Sequence, residues 1–434
     1  MDIHVVTVIG ATGAMGKNIA GIFASFGEAK VYCVGRDINR IKDTIPLIVR
    51  SVKADAIANN LIPVDYSMLE RCVSESDLVF ESAAENMEVK LDIANRIKNS
   101  LKSDAISCTG TSGLSITEIA TCYPEPLRSH FFGVHMFNPP YNMSLCELIP
   151  TRYSDKRVSL ELKEYLEKKL YRTVVETKDA PAFLGNRIGF QFINRALQYA
   201  EKYKENGGID YIDSILGVYT GRAMAPLATA DFVGLDVHKA IVNNVFDNTN
   251  DFAHDTFVLP DYVHRLVTEG KLGRKSKCGL YQRIRHDNGS TQNKVLDIKT
   301  GDYRDVINYA FPFIEKMKTS FETGDYQKGF QSLVDNDSTE AQICRSFMLF
   351  YIVYSLYVAK NVGYRIEAAD DVMATGFNWC PPLAMYQAFS EVTDVRVLIK
   401  ETICDECKGI NVDELLADIK PSKYDYRPFF RSGR

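Results

Sequence analysis

Short apolar runs alternate with helix-period stretches through the first 180 residues. Val5 to Ile9 is an apolar run that leads into a glycine, and a helical pattern follows from Ala14 to Phe26. Val31 to Val34 is a second run, after which Asp37 opens a long polar-periodic stretch. Leu78 to Phe80 is a third, followed by a helical segment from Asn86 to Ile97. The apolar runs are strand-sized and the stretches between them are long enough for crossover helices. The pattern therefore predicts βαβ units building a parallel, doubly wound sheet, with ligands at the carboxyl ends of its strands.

The period changes after Pro181. From there to about Tyr281 the chain reads as mostly helical, Asn186 to Lys204 being the clearest helix, and the polar stretch from Arg283 to Asp302 reads as a connection. The remainder echoes the first helical part. Asn186-Arg187, Ile209-Asp210-Tyr211-Ile212-Asp213 and Met224-Ala225-Pro226 recur as Cys344-Arg345, Ile366-Glu367-Ala368-Ala369-Asp370 and Cys380-Pro381-Pro382. The near-constant offset predicts two related all-α domains in tandem, the second having lost the polar role of Asn186 at Cys344. The expected division is 1–180, 181–290, a connecting segment 291–340, and 341–434. Phe347 to Ala359 is the longest apolar-looking stretch, broken by Ser355 and too short to span a bilayer, so a packed helix is expected there.

A chain of 434 residues exceeds one ordinary core, in keeping with several domains. A formal charge of -5 gives nothing to attract nucleic acid, and the Lys156 to Lys169 stretch alternates Glu with Lys as a solvated helix face does. The N-terminus enters a strand at Ile3 with no secretory pattern before it. Of ten cysteines only Cys404 and Cys407 have C-x-x-C spacing, with no second pair or nearby His to complete a zinc site. The expectation is a protein with reduced thiols, no metal and no membrane or nucleic-acid partner, in the cytoplasm.

Gly10-Ala11-Thr12-Gly13-Ala14-Met15-Gly16 lies between the first strand and the first helix. Glycines there let the backbone turn tightly and approach a pyrophosphate, while the helix N-terminus offers N–H groups to the anion. This predicts a Rossmann-type dinucleotide site, although the spacing has one residue more than G-x-G-x-x-G. The second strand ends in Gly35-Arg36-Asp37. Arg36 suits the 2′-phosphate of NADP, whereas Asp37 suits the ribose of NAD, and the residues alone leave both open.

His135 lies near the end of the apolar run Phe131 to Met136, and Asn138-Pro139-Pro140 turns the chain. Leu145-Cys146-Glu147-Leu148-Ile149 then returns with one acid inside it. An acid in such a run needs a partner. Strand, turn and strand can bring His135 beside it, giving an imidazole whose tautomer and basicity the carboxylate sets.

Thr111-Ser112-Gly113-Leu114, His135 through Pro139, Glu147 and Asp179 through Arg187 together resemble the motif set of 3-hydroxyacyl-CoA dehydrogenases. The likeness continues through Gly221-Arg222, Ala230 to Asp236, Leu272 to Lys275 and Gly279-Leu280-Tyr281, over roughly the first 285 residues. The second helical copy, with Asp370 and Gly376-Phe377-Asn378-Trp379, resembles the extra domain of long, multifunctional β-oxidation members, with no room for a hydratase domain before Arg434. The resemblance implies an acyl-CoA thioester substrate and NAD rather than NADP. It implies His135 as acid/base, Glu147 as its orienting partner, Ser112 and Asn186 on the reacting oxygen, Asn138 lining that pocket, and Glu85 and Lys90 near the nicotinamide ribose. Gly113 departs from the family, where a second Ser is common. In single-copy members the helical domain dimerises, so the second copy implies a monomer, or else a homodimer. A dehydrogenase of the same build on another 3-hydroxy acid or thioester, or a non-catalytic dinucleotide-binding protein, are the alternatives.

Overall fold

In the computed structural model, which describes residues 1–285, 289–417 and 419–431, the first apolar run is strand β1 (Val5–Ile9). Residues 286–288 of the polar stretch and the expected domain end at residue 434 lie outside the described residues. β2 (Lys30–Gly35), β3 (Leu61–Asp65), β4 (Leu78–Glu81), β5 (Ile106–Thr109), β6 (Phe131–Met136), β7 (Leu145–Pro150) and β8 (Thr173–Glu176) join β1 in one sheet, ordered β3-β2-β1-β4-β5-β6-β7-β8. Neighbours are parallel except β6 and β7, which pair antiparallel across a short loop. The order 3-2-1-4-5-6 is that of a doubly wound dinucleotide-binding sheet, whose switch point falls between β1 and β4.

Both faces of this sheet are covered, which is why its strands read as continuous apolar runs rather than as alternations. On one face lie α1 (Ala14–Ser25) and α2 (Ile38–Val52), burying Ile19, Phe23, Ile41 and Ile48. On the other lie α3 (Leu69–Glu75), α4 (Met87–Ile97) and α5 (Ile116–Ala120), with Leu69, Val73, Ile93 and Ile116 inside. The short α6 (Glu125–Arg128) precedes β6, and α7 (Lys156–Lys168) joins the first face through Leu162 and Leu166. The alternating charges of α7 surround this narrow apolar stripe, as its sequence predicts.

Contacts divide the chain into two units: Met1–Phe183 with Val362–Tyr364, and Leu184–Asn361 with Arg365–Arg434. The second unit opens with α8 (Gly185–Lys202), α9 (Ile209–Ile215), α10 (Pro226–Val233), α11 (Leu235–Asn248) and α12 (Asp261–Thr268). A three-stranded antiparallel sheet follows, β9 (Tyr281–Arg285), β10 (Thr291–Leu296) and β11 (Tyr303–Asp305), where the sequence reads as a connection. Its strands are mostly half-exposed and polar, so they carry little apolar signal. The helices resume with α13 (Pro312–Glu322), α14 (Tyr326–Val334), α15 (Thr339–Val362), α16 (Ala368–Val372), α17 (Pro382–Ser390), α18 (Val395–Ile403) and α19 (Val412–Leu415). The expected connecting segment 291–340 thus contains two strands and two complete helices.

α15 is also longer than its apolar stretch. At 24 residues it is long and apolar enough to cross a membrane by length and composition, but 89% of its apolar window is buried inside the protein. It packs on α8 through the rings of Phe192, Phe347 and Tyr351.

The echo in the sequence has structural counterparts. Pro226 and Pro382 each sit in the first turn of a helix, where a missing N–H costs nothing. Gly221 and Asn378 both take left-handed backbone, with φ of 81° and 54°. Arg222 and Trp379 follow them, and the guanidinium of Arg222 lies 4.6 Å from the Trp379 ring and 3.7 Å from Phe192. Cys344, the counterpart of Asn186, is wholly buried, and burial pushes its thiol up to about 12.

Candidate active site

His135 on β6 stands directly opposite Glu147 on β7 in the antiparallel register, and its Nδ1 lies 2.7 Å from Glu147 Oε2. The relation follows from the strand–turn–strand pattern: residues in register on one face of an antiparallel pair have adjacent side chains. Glu147 is fully buried and His135 is 5% exposed. With a carboxylate on Nδ1, that nitrogen carries the hydrogen and Nε2 is left as the acceptor. Nε2 has no hydrogen-bond partner among the described residues. Phe137 and Phe183 wall the imidazole at 4.6 and 5.7 Å between ring centroids.

Ser112 lies in the loop after β5. Its N–H donates to Glu85 Oε1 at 2.7 Å, and Thr111 Oγ1 donates to the same oxygen at 2.6 Å. Ser112 is half-buried and its hydroxyl makes no hydrogen bond among the described residues. Glu85 therefore shapes the Ser112 loop. Its other oxygen lies 3.6 Å from Lys90 Nζ. Lys90 is not on a solvated helix face: it is 2% exposed, and its ammonium donates to both oxygens of Glu81 at 3.0 Å.

Glu81 is absent from the sequence-derived set. It ends β4 and also accepts from Thr109 Oγ1 and Ala83 N, each at 2.6 Å. Its one sequence signal is an acid closing a short apolar strand, as at Glu147. Asp179 stands out in the sequence only as part of a motif. Its carboxylate accepts from Ser115 Oγ at 3.2 Å, Ile116 N at 3.0 Å and Thr117 N at 2.7 Å. Asn138 is exposed beyond β6, with its Oδ1 3.4 Å from Asn18 Nδ2 on α1. Asn186 is buried in the first turn of α8, in the second unit.

The glycine loop closes against the sheet. Gly10 has φ of 84°, and a Cβ there would fall 2.3 Å from Ser82 O. A Cβ on Gly16 would fall 2.2 Å from Gly10 O, so α1 can start this close to β1 only with glycine at that position. Gly13 precedes α1 without a side-chain cap, and the first turn, Ala14 to Gly16, holds no acid. Thr12 and Met15 are half-buried beside it. An uncapped helix start at the end of a central strand fits a dinucleotide pyrophosphate. Beyond β2, Asp37 Oδ1 caps α2 through Asn39 N at 2.9 Å and Arg40 N at 3.4 Å. Its Oδ2 makes no hydrogen bond, and Arg36 is exposed with no hydrogen bond or ion pair among the described residues. The geometry serves either ribose or 2′-phosphate.

Comparison with known proteins gives the same picture. Residues 5–180 match the family model "3-hydroxyacyl-CoA dehydrogenase, NAD binding domain", and residues 183–283 match "3-hydroxyacyl-CoA dehydrogenase, C-terminal domain". The chain is 30% identical to the 3-hydroxybutyryl-CoA dehydrogenase of Clostridioides difficile, over 63% of this chain and 97% of that one. It is 29% identical to a probable 3-hydroxyacyl-CoA dehydrogenase of Bacillus subtilis, over 73% of this chain and 39% of that one. A crystal structure of 3-hydroxybutyryl-CoA dehydrogenase from Escherichia coli has the same fold, with a TM-score of 0.67 at 21% identity over 92% of this chain and 95% of that one. The chain spans only 39%, 52% and 66% of the lengths of the Bacillus protein and two further curated relatives.

Proposed function

Because the chain belongs to the 3-hydroxyacyl-CoA dehydrogenase family, we propose that it interconverts 3-hydroxyacyl-CoA and 3-oxoacyl-CoA, with His135 moving the proton. The observation that carries this reading is the His135–Glu147 pair, which leaves one imidazole nitrogen unbonded. A protein that only bound dinucleotides would have no use for such a pair.

The cofactor is a nicotinamide dinucleotide, NAD favoured, which when bound supplies the hydride acceptor or donor. The residues assigned to hold it are Gly10, Thr12, Gly13, Ala14, Met15 and Gly16 at the pyrophosphate, Arg36 or Asp37 at the adenosine end, and Glu85 at the nicotinamide ribose. Lys90, expected beside it, is buried against Glu81 and supports Glu85 instead of touching the cofactor.

In oxidation His135 Nε2 accepts the proton of the substrate's 3-hydroxyl, and the buried Glu147 carboxylate stabilises the imidazolium so formed. In reduction the imidazolium returns that proton to the forming alkoxide. Ser112 Oγ donates to the same oxygen and holds its charge in the transition state, and the family resemblance gives Asn186 that role as well. Asn138 lines the pocket beside it. Walls of Phe137 and Phe183 keep water from the imidazole.

The pairing of α8 with α15 inside one chain supports a monomer, with a homodimer as the alternative that sedimentation would distinguish.

The reading is tested by nicotinamide absorbance on adding acetoacetyl-CoA, with NADH and NADPH in parallel and His135→Gln as control. Turnover lost in the variant is the expected result. Cofactor binding without turnover in the wild type overturns it in favour of a binding protein. Activity on free acetoacetate but not on its thioester moves the assignment to another 3-hydroxy acid.

A further inference from the structure

We infer that the linker Asp179 to Phe183 is a positioning element that fixes Ser112 relative to His135, with Asp179 as its working residue. The inference rests on the reading above, in which those two side chains share one substrate oxygen.

The Ser112 loop is held from two sides by carboxylates remote in sequence. Glu85 takes the N–H of Ser112 and the hydroxyl of Thr111, while Asp179 takes Ser115 Oγ, Ile116 N and Thr117 N. Asp179 is not needed to start α5. Ser115 already caps it, its Oγ accepting from Glu118 N at 3.2 Å. What Asp179 adds is a tie between this loop and a segment 62 to 64 residues away.

The other end of that segment touches the acid/base. Phe183 is fully buried with its ring 5.7 Å from the His135 imidazole. Ala182 and Phe183 are both left-handed, with φ of 59° and 50°. Residues other than glycine hold such a conformation only where the surroundings over-determine it. Here they do, because the linker is anchored at both ends and from behind. Lys178 N donates to Val362 O at 2.8 Å, and Thr177 makes an antiparallel bridge to Gly363. Val362–Tyr364, at the end of α15, is the short excursion of the second helical copy that belongs to the first unit. Val362–Tyr364 thereby braces the linker that sets Ser112 and His135 in register.

The experiment compares Asp179→Ala and Asp179→Asn with Asp155→Ala. Asp155 caps α7 in the same manner, through Arg157 N at 2.8 Å and Val158 N at 3.0 Å, away from the site. Asp179→Ala is expected to lower kcat about tenfold and to raise KM for the thioester, because small misplacements of a positioned group are costly. Cofactor affinity, read by quenching of NADH fluorescence, stays within about twofold, since the glycine loop is untouched. Asp179→Asn keeps one acceptor and recovers part of the loss. In a Ser112→Ala background the Asp179→Ala effect largely disappears, as coupled residues require. Amide exchange of residues 110–118 quickens in Asp179→Ala and not in Asp155→Ala.

If Asp179→Ala lowers stability as Asp155→Ala does but leaves kinetics and loop exchange unchanged, Asp179 is only a cap and the inference fails. Full additivity with Ser112→Ala also overturns it. A wild type without turnover overturns the functional reading instead, and the exchange measurement still decides whether Asp179 holds the loop.

Discussion

Asp213 and Asp370 occupy equivalent places in the two helical copies. Each is buried and caps the helix that follows: Asp213 accepts from Leu227 N at 2.8 Å and Ala228 N at 2.9 Å, and Asp370 accepts from Leu383 N at 2.8 Å. Each also takes a hydroxyl from far along the chain, Tyr281 for Asp213 and Ser422 for Asp370. The partners differ in type while the capping of the following helix persists.

This burial makes stability depend on pH. It pushes the carboxyl of Asp213 up to about 7, and those of Asp231 and Asp370 up to about 6. A carboxyl whose folded value exceeds its unfolded one favours the fold while protonated, so its contribution is full below about pH 4 and fades as pH rises through 6 to 7. The melting temperature is expected to fall between pH 5 and pH 8. Asp213→Asn and Asp370→Asn flatten that slope, and calorimetry across the range checks it.

His135→Gln is expected to lower kcat by about 10²- to 10⁴-fold, the usual loss on removing a general base. Glu147→Gln keeps the shape of the buried site but loses the charge that holds the imidazolium, and costs about 10- to 100-fold. Stopped-flow absorbance with acetoacetyl-CoA reads both, and NADH fluorescence confirms that the cofactor still binds.

Arg36→Ala separates the two cofactors. With NAD as the natural partner, KM for NADH stays within about threefold, while NADPH weakens about tenfold through loss of the exposed guanidinium at that end. Parallel titrations decide, and equal loss on both would assign Arg36 to stacking on the adenine.

Arg222 has no carboxylate partner among the described residues, and its Nε and Nη2 make no hydrogen bond. It sits among Phe192, Tyr351 and Trp379, and burial draws its guanidinium down to about 10. Arg222→Ala leaves a cavity and is expected to cost about 3 kcal/mol. Arg222→Met refills the volume without a buried charge and costs less than about 1.5 kcal/mol. Urea unfolding measures both.

The parts of the site legible in the sequence were those set by short-range periodicity. β6, a brief turn and β7 place His135 and Glu147 in register, and the glycine loop lies where strand meets helix. Glu81 was not legible as the partner of Lys90, because strand and helix bring them together across a loop. Nor was the tie from Asp179 to the α5 start, which depends on sheet order. The expected connection hid β9 to β11 because half-exposed polar strands lack the apolar alternation that marks a strand. α15 outran its apolar stretch because its mixed first turns, from Thr339 to Arg345, are helical too.

Two copies on one chain have a consequence for dilution. The α8–α15 contact is intramolecular, so its effective concentration is set by the chain between them and not by how much protein is present. Mass action cannot part the halves, and melting should not shift with protein concentration on their account.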